Sequence, residues 1–520
     1  MRSRILWVDD EIEHLEPQVL HLADRGFEVL PARHPSEALQ ILQQQNVDLL
    51  IVDEHMPGME GIELARQIKR SHPYLPVIMV TKDEEERLME AAVGVDIADF
   101  LIKPVKPQQL LSTCKRLLAG SALQRQEASE GYQREFRRLS TQIAFGPSLE
   151  EWWQVYKDLV HWDIALERTG AAELQDILEG QKAEANLMFS RFFTENYLEW
   201  VNSTDRPALS PDVLPRYFLP HIGTRGGEPT VLALIDGMRY DQWKVLESLL
   251  APYYDTVEER LFFSILPTAT QYARNSLFSG LFPSDIAQRF PRYWADDDEE
   301  GGKNLFEEEF FNDLLHRYKM PVKVGYVKVL RPEEGKTLLQ QLPQLLRQNE
   351  VVLLIFNFLD LMAHTRVQMN VLKELAANDT ALRATTRAWL ETSAFLQVLK
   401  QLPQYTSQVF LTTDHGFVQV RRPVRVLGDR ETTTNLRYKQ GRNLNYDRGE
   451  KGVFHIRKPS EARLPRATAS STYLFACEDH FLVYPTNYNE YVRLYRDSYQ
   501  HGGVSLEEIV VPFVRLEVKK

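Results

Sequence analysis

The sequence predicts an α/β protein of several domains, with a parallel, doubly wound sheet in the first and another α/β domain at the end, separated by an all-helical segment. Three observations carry this. Between residues 1 and 118, five short apolar runs alternate with amphipathic helical stretches. From 119 to 215 long side chains recur at helical spacing. Beyond 216, three apolar runs end at or beside an aspartate, as strands of a parallel sheet do when they deliver polar groups to one edge. A chain of 520 residues is too long for one core and fits two to four domains.

Composition sets the outer limits. Hydrophobic content of 43% and charged content of 26% describe a folded globular chain rather than a disordered one. A net charge of −12 argues against duplex DNA as the main partner, because phosphate binding needs a basic surface. Cys114 and Cys477 are the only cysteines and stand far apart, so no disulfide framework is expected. The N-terminus reaches Asp9-Asp10-Glu11 after four apolar residues, too few for a signal peptide. The most apolar run, Val351 to Leu359, is strand-length and far short of a bilayer span. The expectation is a cytoplasmic protein with no membrane insertion.

In the first domain, 1–118, the expected strands are Ile5–Val8, Phe27–Pro31, Leu49–Val52, Val77–Val80 and Phe100–Ile102. Pro35–Gln45 is one of the intervening helices, with Ala38, Leu39 and Leu42 on one side. Ligands gather at the carboxyl ends of parallel strands. Asp9 and Asp10 follow the first strand, Asp53 the third, Thr81 the fourth and Lys103 the fifth. This set suits a phosphoryl acceptor. Asp53 is the nucleophile, further carboxylates hold Mg²⁺, and Lys103 and Thr81 face the phosphoryl oxygens. Asp53-Glu54-His55-Met56-Pro57-Gly58-Met59-Glu60-Gly61 and Leu101-Ile102-Lys103-Pro104 resemble a response-regulator receiver domain, a flavodoxin-like (βα)5 fold. The resemblance implies Mg²⁺ bound by Asp10, Asp53 and the carbonyl of His55, with Asp9 acting through water. It also implies Phe100 as an aromatic switch beside Thr81, a cis Lys103-Pro104 peptide and a sensor histidine kinase as partner.

In the middle segment, 119–215, Ser121–Arg138 reads as a polar helix. Ser148-Leu149-Glu150-Glu151 has the order of an N-cap followed by acids in the first turn. Trp152, Trp153, Tyr156, Leu159, Val160 and Trp162 follow at helical spacing, and another helix covers about Ala172 to Val201. The aromatic stripe is expected to be the core of a helical bundle linking the two α/β domains.

The third domain, 216–520, has buried strands at Val231–Ile235, Val351–Phe358 and Val409–Thr412. They lead to Asp236, Asp360 and the pair Asp414-His415. Asp360 and His364 are four apart and share a face if a helix begins there. His501 precedes Gly502-Gly503, where backbone freedom lets an imidazole approach a metal closely. Thr270, after Pro267-Thr268-Ala269, is the candidate nucleophile, with Thr268 as its competitor.

Taken in order, Asp236, Thr270, Asp360, His364, Asp414, His415 and His501 resemble the ligand set of the alkaline phosphatase superfamily. His501 to Pro512 is similar to its PglZ branch. The resemblance implies two Zn²⁺ ions, one on Asp360, His364 and His501, the other on Asp236, Thr270, Asp414 and His415. It implies a phosphodiesterase or phosphatase, with nucleotide-like diesters or oligonucleotides favoured because Pro-Thr-x-Thr resembles the superfamily's diesterases. The order receiver, helical segment, PglZ domain resembles the PorX-type response regulators linked to type IX secretion. That adds secretion components and a sigma factor as implied partners, and a phosphorylation-dependent homodimer. The competing reading is a signalling adaptor whose zinc site is structural. Arg274, Lys323 and Lys328 are candidate partners for phosphoryl oxygens, and Asp296–Gly302 and Gly428–Arg448 read as polar loops or lids.

Overall fold

Strands that are covered on both faces read as unbroken apolar runs, and the first sheet shows why. A computed structural model describes residues 3–72, 75–82, 97–169, 172–295, 304–360, 378–429, 433–447, 452–466, 468 and 470–519. The chain divides into two compact units: Met1–Arg138 with His161–Leu178, and Leu139–Val160 with Glu179–Lys520.

In the first unit, β1 (Arg4–Val8), β2 (Glu28–Ala32), β3 (Leu49–Asp53), β4 (Val77–Thr81) and β5 (Asp99–Ile102) form a parallel sheet. Their order is β2-β1-β3-β4-β5. Leu6, Val8, Leu50, Val52, Val77 and Met79 face Ala38 and Leu42 of the helix Pro35–Gln44 and Leu64, Ala65 and Ile68 of Gly61–Ser71. Their neighbours Ile5, Trp7, Leu49, Ile51, Ile78 and Val80 point the other way, onto Leu110, Leu111, Cys114 and Leu118 of the helix Pro107–Ala144. Strand order reverses between β1 and β3, so the crevice lies at the ends carrying Asp9, Asp10 and Asp53. Farther along that helix Tyr132 packs on Trp162, with ring centroids 5.8 Å apart.

The second unit is built on a six-stranded sheet. Its strands are β6 (Thr230–Ile235), β7 (Tyr254–Phe263), β8 (Val324–Val329), β9 (Val351–Phe356), β10 (Gln408–Thr412) and the C-terminal strand Val510–Val518. The order is β7, C-terminal strand, β10, β6, β9, β8. The adjacent four, β10, β6, β9 and β8, are parallel, as the apolar runs imply, and the C-terminal strand runs antiparallel to β10 and β7. The sheet is therefore mixed.

Two expectations are extended or corrected here. The aromatic stripe packs helix on helix, with Trp152 on Phe189 at 5.4 Å, and also reaches the second sheet. Trp153 lies 4.5 Å from Phe263 of β7, Tyr156 lies 5.7 Å from Tyr240, and Phe189, Phe193 and Trp200 also surround Phe263. Helical periodicity shows that a face is apolar but not what covers it. The helix Leu149–Thr169 does start at a reciprocal cap, with the Glu151 N–H on Ser148 Oγ and the Ser148 N–H on Glu151 Oε2. The correction concerns Gly428–Arg448, which contains strands at Tyr438–Gly441 and Asn445–Tyr446. The first pairs with Thr472–Ala476, and this non-local pairing buries Arg437, Lys439 and Gln440. Asp296–Gly302 falls outside the described residues. No described helix is long and apolar enough to cross a membrane.

Candidate active site and phosphoacceptor site

At the carboxyl ends of β1 and β3, Asp9, Asp10 and Asp53 bring carboxylate oxygens within 4.8 Å of one another. Lys103 Nζ is 3.0 Å from Asp9 Oδ2 and 3.0 Å from Asp53 Oδ1. Burial pushes the Asp53 carboxyl above its ordinary value; Lys103 opposes this, and Asp9 and Asp10 add to it. Burial works against the Lys103 ammonium, but its bonds to Asp53 and Asp9 outweigh it and hold its pKa high. The Asp9 carboxylate also accepts the Glu11 N–H at 2.9 Å. Thr81 is buried at the end of β4, and its carbonyl accepts the Lys103 N–H. Phe100 is half-buried against the helix-covered face, and His55 is exposed two residues beyond Asp53. The Lys103-Pro104 peptide is cis.

In the second unit the three central strands place their acids side by side. Carboxylate and imidazole atoms of Asp236, Asp414 and His415 lie within 4.8 Å of one another, as do those of Asp360, His415 and His501. His415 thus stands between the two groups. Both imidazoles are fixed from behind: His415 Nδ1 donates to Gly416 O at 3.0 Å and His501 Nδ1 to Thr268 O at 2.9 Å. A ring that donates through Nδ1 presents its Nε2 lone pair, which is how metal-binding histidines are held. His501 Nε2 lies 3.4 Å from Asp360 Oδ1, and the two rings stack at 4.3 Å. Gly416 lets the turn close, since a Cβ there would stand 2.0 Å from Glu507 O. Gly237, at φ +69°, makes the turn after Asp236 and approaches Asp360. His364 falls outside the described residues.

The two threonines are distinguished by their partners. Thr270 opens the helix Thr270–Ser279, with its Oγ1 3.1 Å from His415 Nε2 and 3.4 Å from Asp236 Oδ1. Thr268 is fully buried. Its hydroxyl donates to Gly503 O and accepts the Gly502 N–H, both at 3.0 Å, so it locks the His501 loop in place.

Arg274 is not where the sequence reading put it. Four residues after Thr270 on the same helix, it is fully buried beneath the acids. Its guanidinium pairs with Asp236, and its Nε bonds Asp414 Oδ2 at 3.0 Å. Lys328 is held by Glu307 at 2.7 Å and Lys323 is exposed, so neither reaches the centre. One guanidinium cannot compensate two buried carboxylates. Burial drives Asp236 up to about 7 against the pull of Arg274, with Asp414 and Asp360 adding to the rise. Burial acts on Asp414 too, but Arg274, His415 and the Gly237 N–H hold it below the usual carboxylate range. A centre with surplus buried acid, two Nε2 lone pairs and a hydroxyl fits divalent metal ions with N and O ligands. Sequence reasoning missed two supports. Thr413 Oγ1 donates to His415 O and accepts the Met238 N–H. Buried Glu508 accepts from the Gly503 N–H and pairs with Arg437.

Residues 220–516 match the family described as the BREX system PglZ alkaline phosphatase-like domain. Residues 5–115 match the response regulator receiver domain, and 122–201 match the PorX response regulator linker domain. Among curated relatives, the cyclic di-GMP phosphodiesterase response regulator RpfG of Xanthomonas campestris pv. campestris (strain 8004) is 41% identical over 86 residues, 16% of this chain and 23% of that protein. The phosphate regulon transcriptional regulatory protein PhoB of Pseudomonas aeruginosa is 35% identical over 118 residues, 22% of this chain and 51% of that protein. The chain thus spans about a quarter and about half of those relatives' lengths. A solved structure, the chemotaxis protein CheY4 of Vibrio cholerae, is 29% identical, with 22% of this chain and 99% of that one covered and a TM-score of 0.22.

Proposed function

This chain belongs to the PglZ alkaline phosphatase-like family, and we propose that it is a response regulator whose Asp53 phosphorylation controls a zinc-dependent phosphodiesterase acting on nucleotide-like diesters. Its receiver and linker matches make it a response regulator with a phosphatase-like domain, and a receiver implies a histidine kinase partner. The observation that carries the esterase reading is a pair of acid–imidazole groups sharing His415, Asp236 with Asp414 and Asp360 with His501, with the Thr270 hydroxyl beside His415 Nε2 and Asp236, while Thr268 is held by backbone. Mg²⁺ suits the all-oxygen acceptor site.

Asp236, Asp360, Asp414, His415 and His501, with His364, would hold two zinc ions, which supply Lewis acidity and positive charge at the phosphoryl oxygens. Thr270 Oγ1 attacks phosphorus in line. The alcohol leaves with a proton, and a phosphothreonine ester remains. Water then cleaves that ester, releasing the phosphomonoester and restoring the hydroxyl. The Asp236–Arg274–Asp414 network keeps the carboxylates aimed at the centre throughout. On the same reading, phosphorylation drives the chain from monomer to dimer, and its partners include type IX secretion components and a sigma factor.

Hydrolysis of bis(p-nitrophenyl) phosphate by zinc-loaded protein tests this directly. Thr270→Ala should lower turnover by about 10³-fold or more. A quenched reaction should leave a p-nitrophenylphosphoryl group on the peptide that contains Thr270. Near wild-type turnover in Thr270→Ala would overturn the assignment.

A further inference from the structure

The helix Ala172–Trp200 carries an unusual face. Ala185, Phe189 and Phe193 form its buried apolar ridge, and Asn186, Ser190 and Tyr197 are buried beside it. Positions 186, 190 and 197 are separated by four and seven residues and so fall on one side of a helix. A packing helix gains nothing from burying polar groups unless each meets a partner. Each of these does, and every partner belongs to a loop of the esterase centre.

Tyr197 Oη accepts the Leu266 N–H at 2.9 Å, at the head of the Leu266-Pro267-Thr268-Ala269-Thr270 segment. Ser190 Oγ donates to Val504 O at 3.3 Å. Asn186 Oδ1 accepts the Leu506 N–H at 2.8 Å, and its Nδ2 meets both Glu507 carboxylate oxygens at 3.1 and 3.0 Å. The two loops are in turn tied to each other through Thr268, whose hydroxyl bonds Gly502 and Gly503 and whose carbonyl anchors His501. Behind Glu507, its own carbonyl sits where a Cβ on Gly416 would be, next to His415. A single helix face therefore registers the nucleophile loop and the His501 loop against one another.

We infer that Tyr197 and Asn186 are positioning residues of the esterase centre, setting Thr270 and His501 at their working separation from outside the phosphatase-like domain's own sequence span. The inference rests on the esterase reading above for its kinetic consequence, but its structural content stands apart from it. Neither side chain touches the reacting atoms. Loss of either leaves the ligands present and the register between them loose, which should slow the chemical step more than it weakens substrate binding.

The test uses the full chain. Tyr197→Phe removes only the acceptor for Leu266 and keeps the ring on Phe193, 4.9 Å away. Asn186→Asp places a second carboxyl against Glu507. The double change Asn186→Asp with Glu507→Gln restores the bond count with amide and acid exchanged. Expected for Tyr197→Phe and Asn186→Asp is a fall in kcat of about tenfold with KM unchanged, and recovery of kcat in the double variant. Amide hydrogen exchange should quicken in residues 264–270 and 501–508 while β6 and β10 stay as in wild type. Wild-type exchange in both loops would overturn the inference, as would exchange that rises uniformly across the domain or a double variant no better than Asn186→Asp. If the wild-type protein hydrolyses no ester, the esterase reading fails, and the exchange pattern alone decides whether the helix registers the loops.

Discussion

Replacing Arg274 with methionine isolates the charge balance of the metal centre. The guanidinium is fully buried and pairs with both Asp236 and Asp414. Removing one partner of a buried ion pair typically costs about 3–5 kcal/mol, because the remaining charge has no compensation. At pH 8, above the raised value of Asp236 near 7, both acids are ionised in the wild type; losing Arg274, which pulls Asp236 down, lets that carboxyl rise further and take up a proton, so the metal-free variant should lose up to that amount. Zinc supplies positive charge to the same carboxylates, so the cost should shrink when zinc is bound. Loss of ligand orientation acts in the opposite sense: a tenfold to hundredfold weaker metal site corresponds to about 1.4–2.7 kcal/mol. The charge effect is the larger of the two, so the net sign is a smaller penalty with zinc than without. Urea unfolding of wild-type and Arg274→Met protein, each in chelator and in excess zinc, reads all four corners. A penalty that is equal or greater in zinc would show that Arg274 and the metal do not share the task of compensating Asp236 and Asp414.

Asp53→Asn should abolish phosphoryl uptake from acetyl phosphate in Mg²⁺, read as the loss of one phosphoryl mass on the intact chain; uptake that persists would move the acceptor. Beryllofluoride with Mg²⁺ should raise the sedimenting mass from monomer to dimer in wild type and not in Asp53→Asn, and an unchanged mass would remove dimerisation from the proposed switch. Lys439, buried over the Tyr484 ring at 4.4 Å, has its pKa lowered to about 7 by burial. Its folded value lies below its unfolded one, so the unfolded chain binds the extra proton between about pH 7 and 10.5 and stability rises with pH across that window, by at most about 1.4 kcal/mol per unit. Lys439→Met should flatten that rise and stabilise the protein at pH 7; an unchanged pH profile in urea unfolding would refute it.

How far the sequence reaches depends on whether a feature is local. Asp9, Asp53, Asp236 and Asp414 each end or follow an apolar run, and the turn after a buried parallel strand has one place to go, so their clustering could be anticipated from spacing alone. Thr270 and Thr268 could not be separated that way. Their difference is set by Gly502 and Gly503, more than two hundred residues downstream, which claim one hydroxyl and leave the other facing His415. Arg274 was visible as a residue one turn beyond Thr270, hence on the same helix face. That register alone does not say whether a guanidinium meets substrate or lies beneath the ligands, and its partners Asp236 and Asp414 decide it. The segment around Lys439 reads as a loop because its polar content hides a strand whose burial comes from pairing with Thr472–Ala476. The linker helix is the instructive case. Asn186, Ser190 and Tyr197 recur on one face beside the apolar ridge of Ala185, Phe189 and Phe193. A bundle core would favour apolar residues there, since a buried amide or hydroxyl without a partner is costly. Polar residues at helical period inside a buried stripe therefore mark contact with irregular backbone, where N–H and C=O groups lack ladder partners. In this chain the irregular backbone is that of the loops carrying Thr270 and His501.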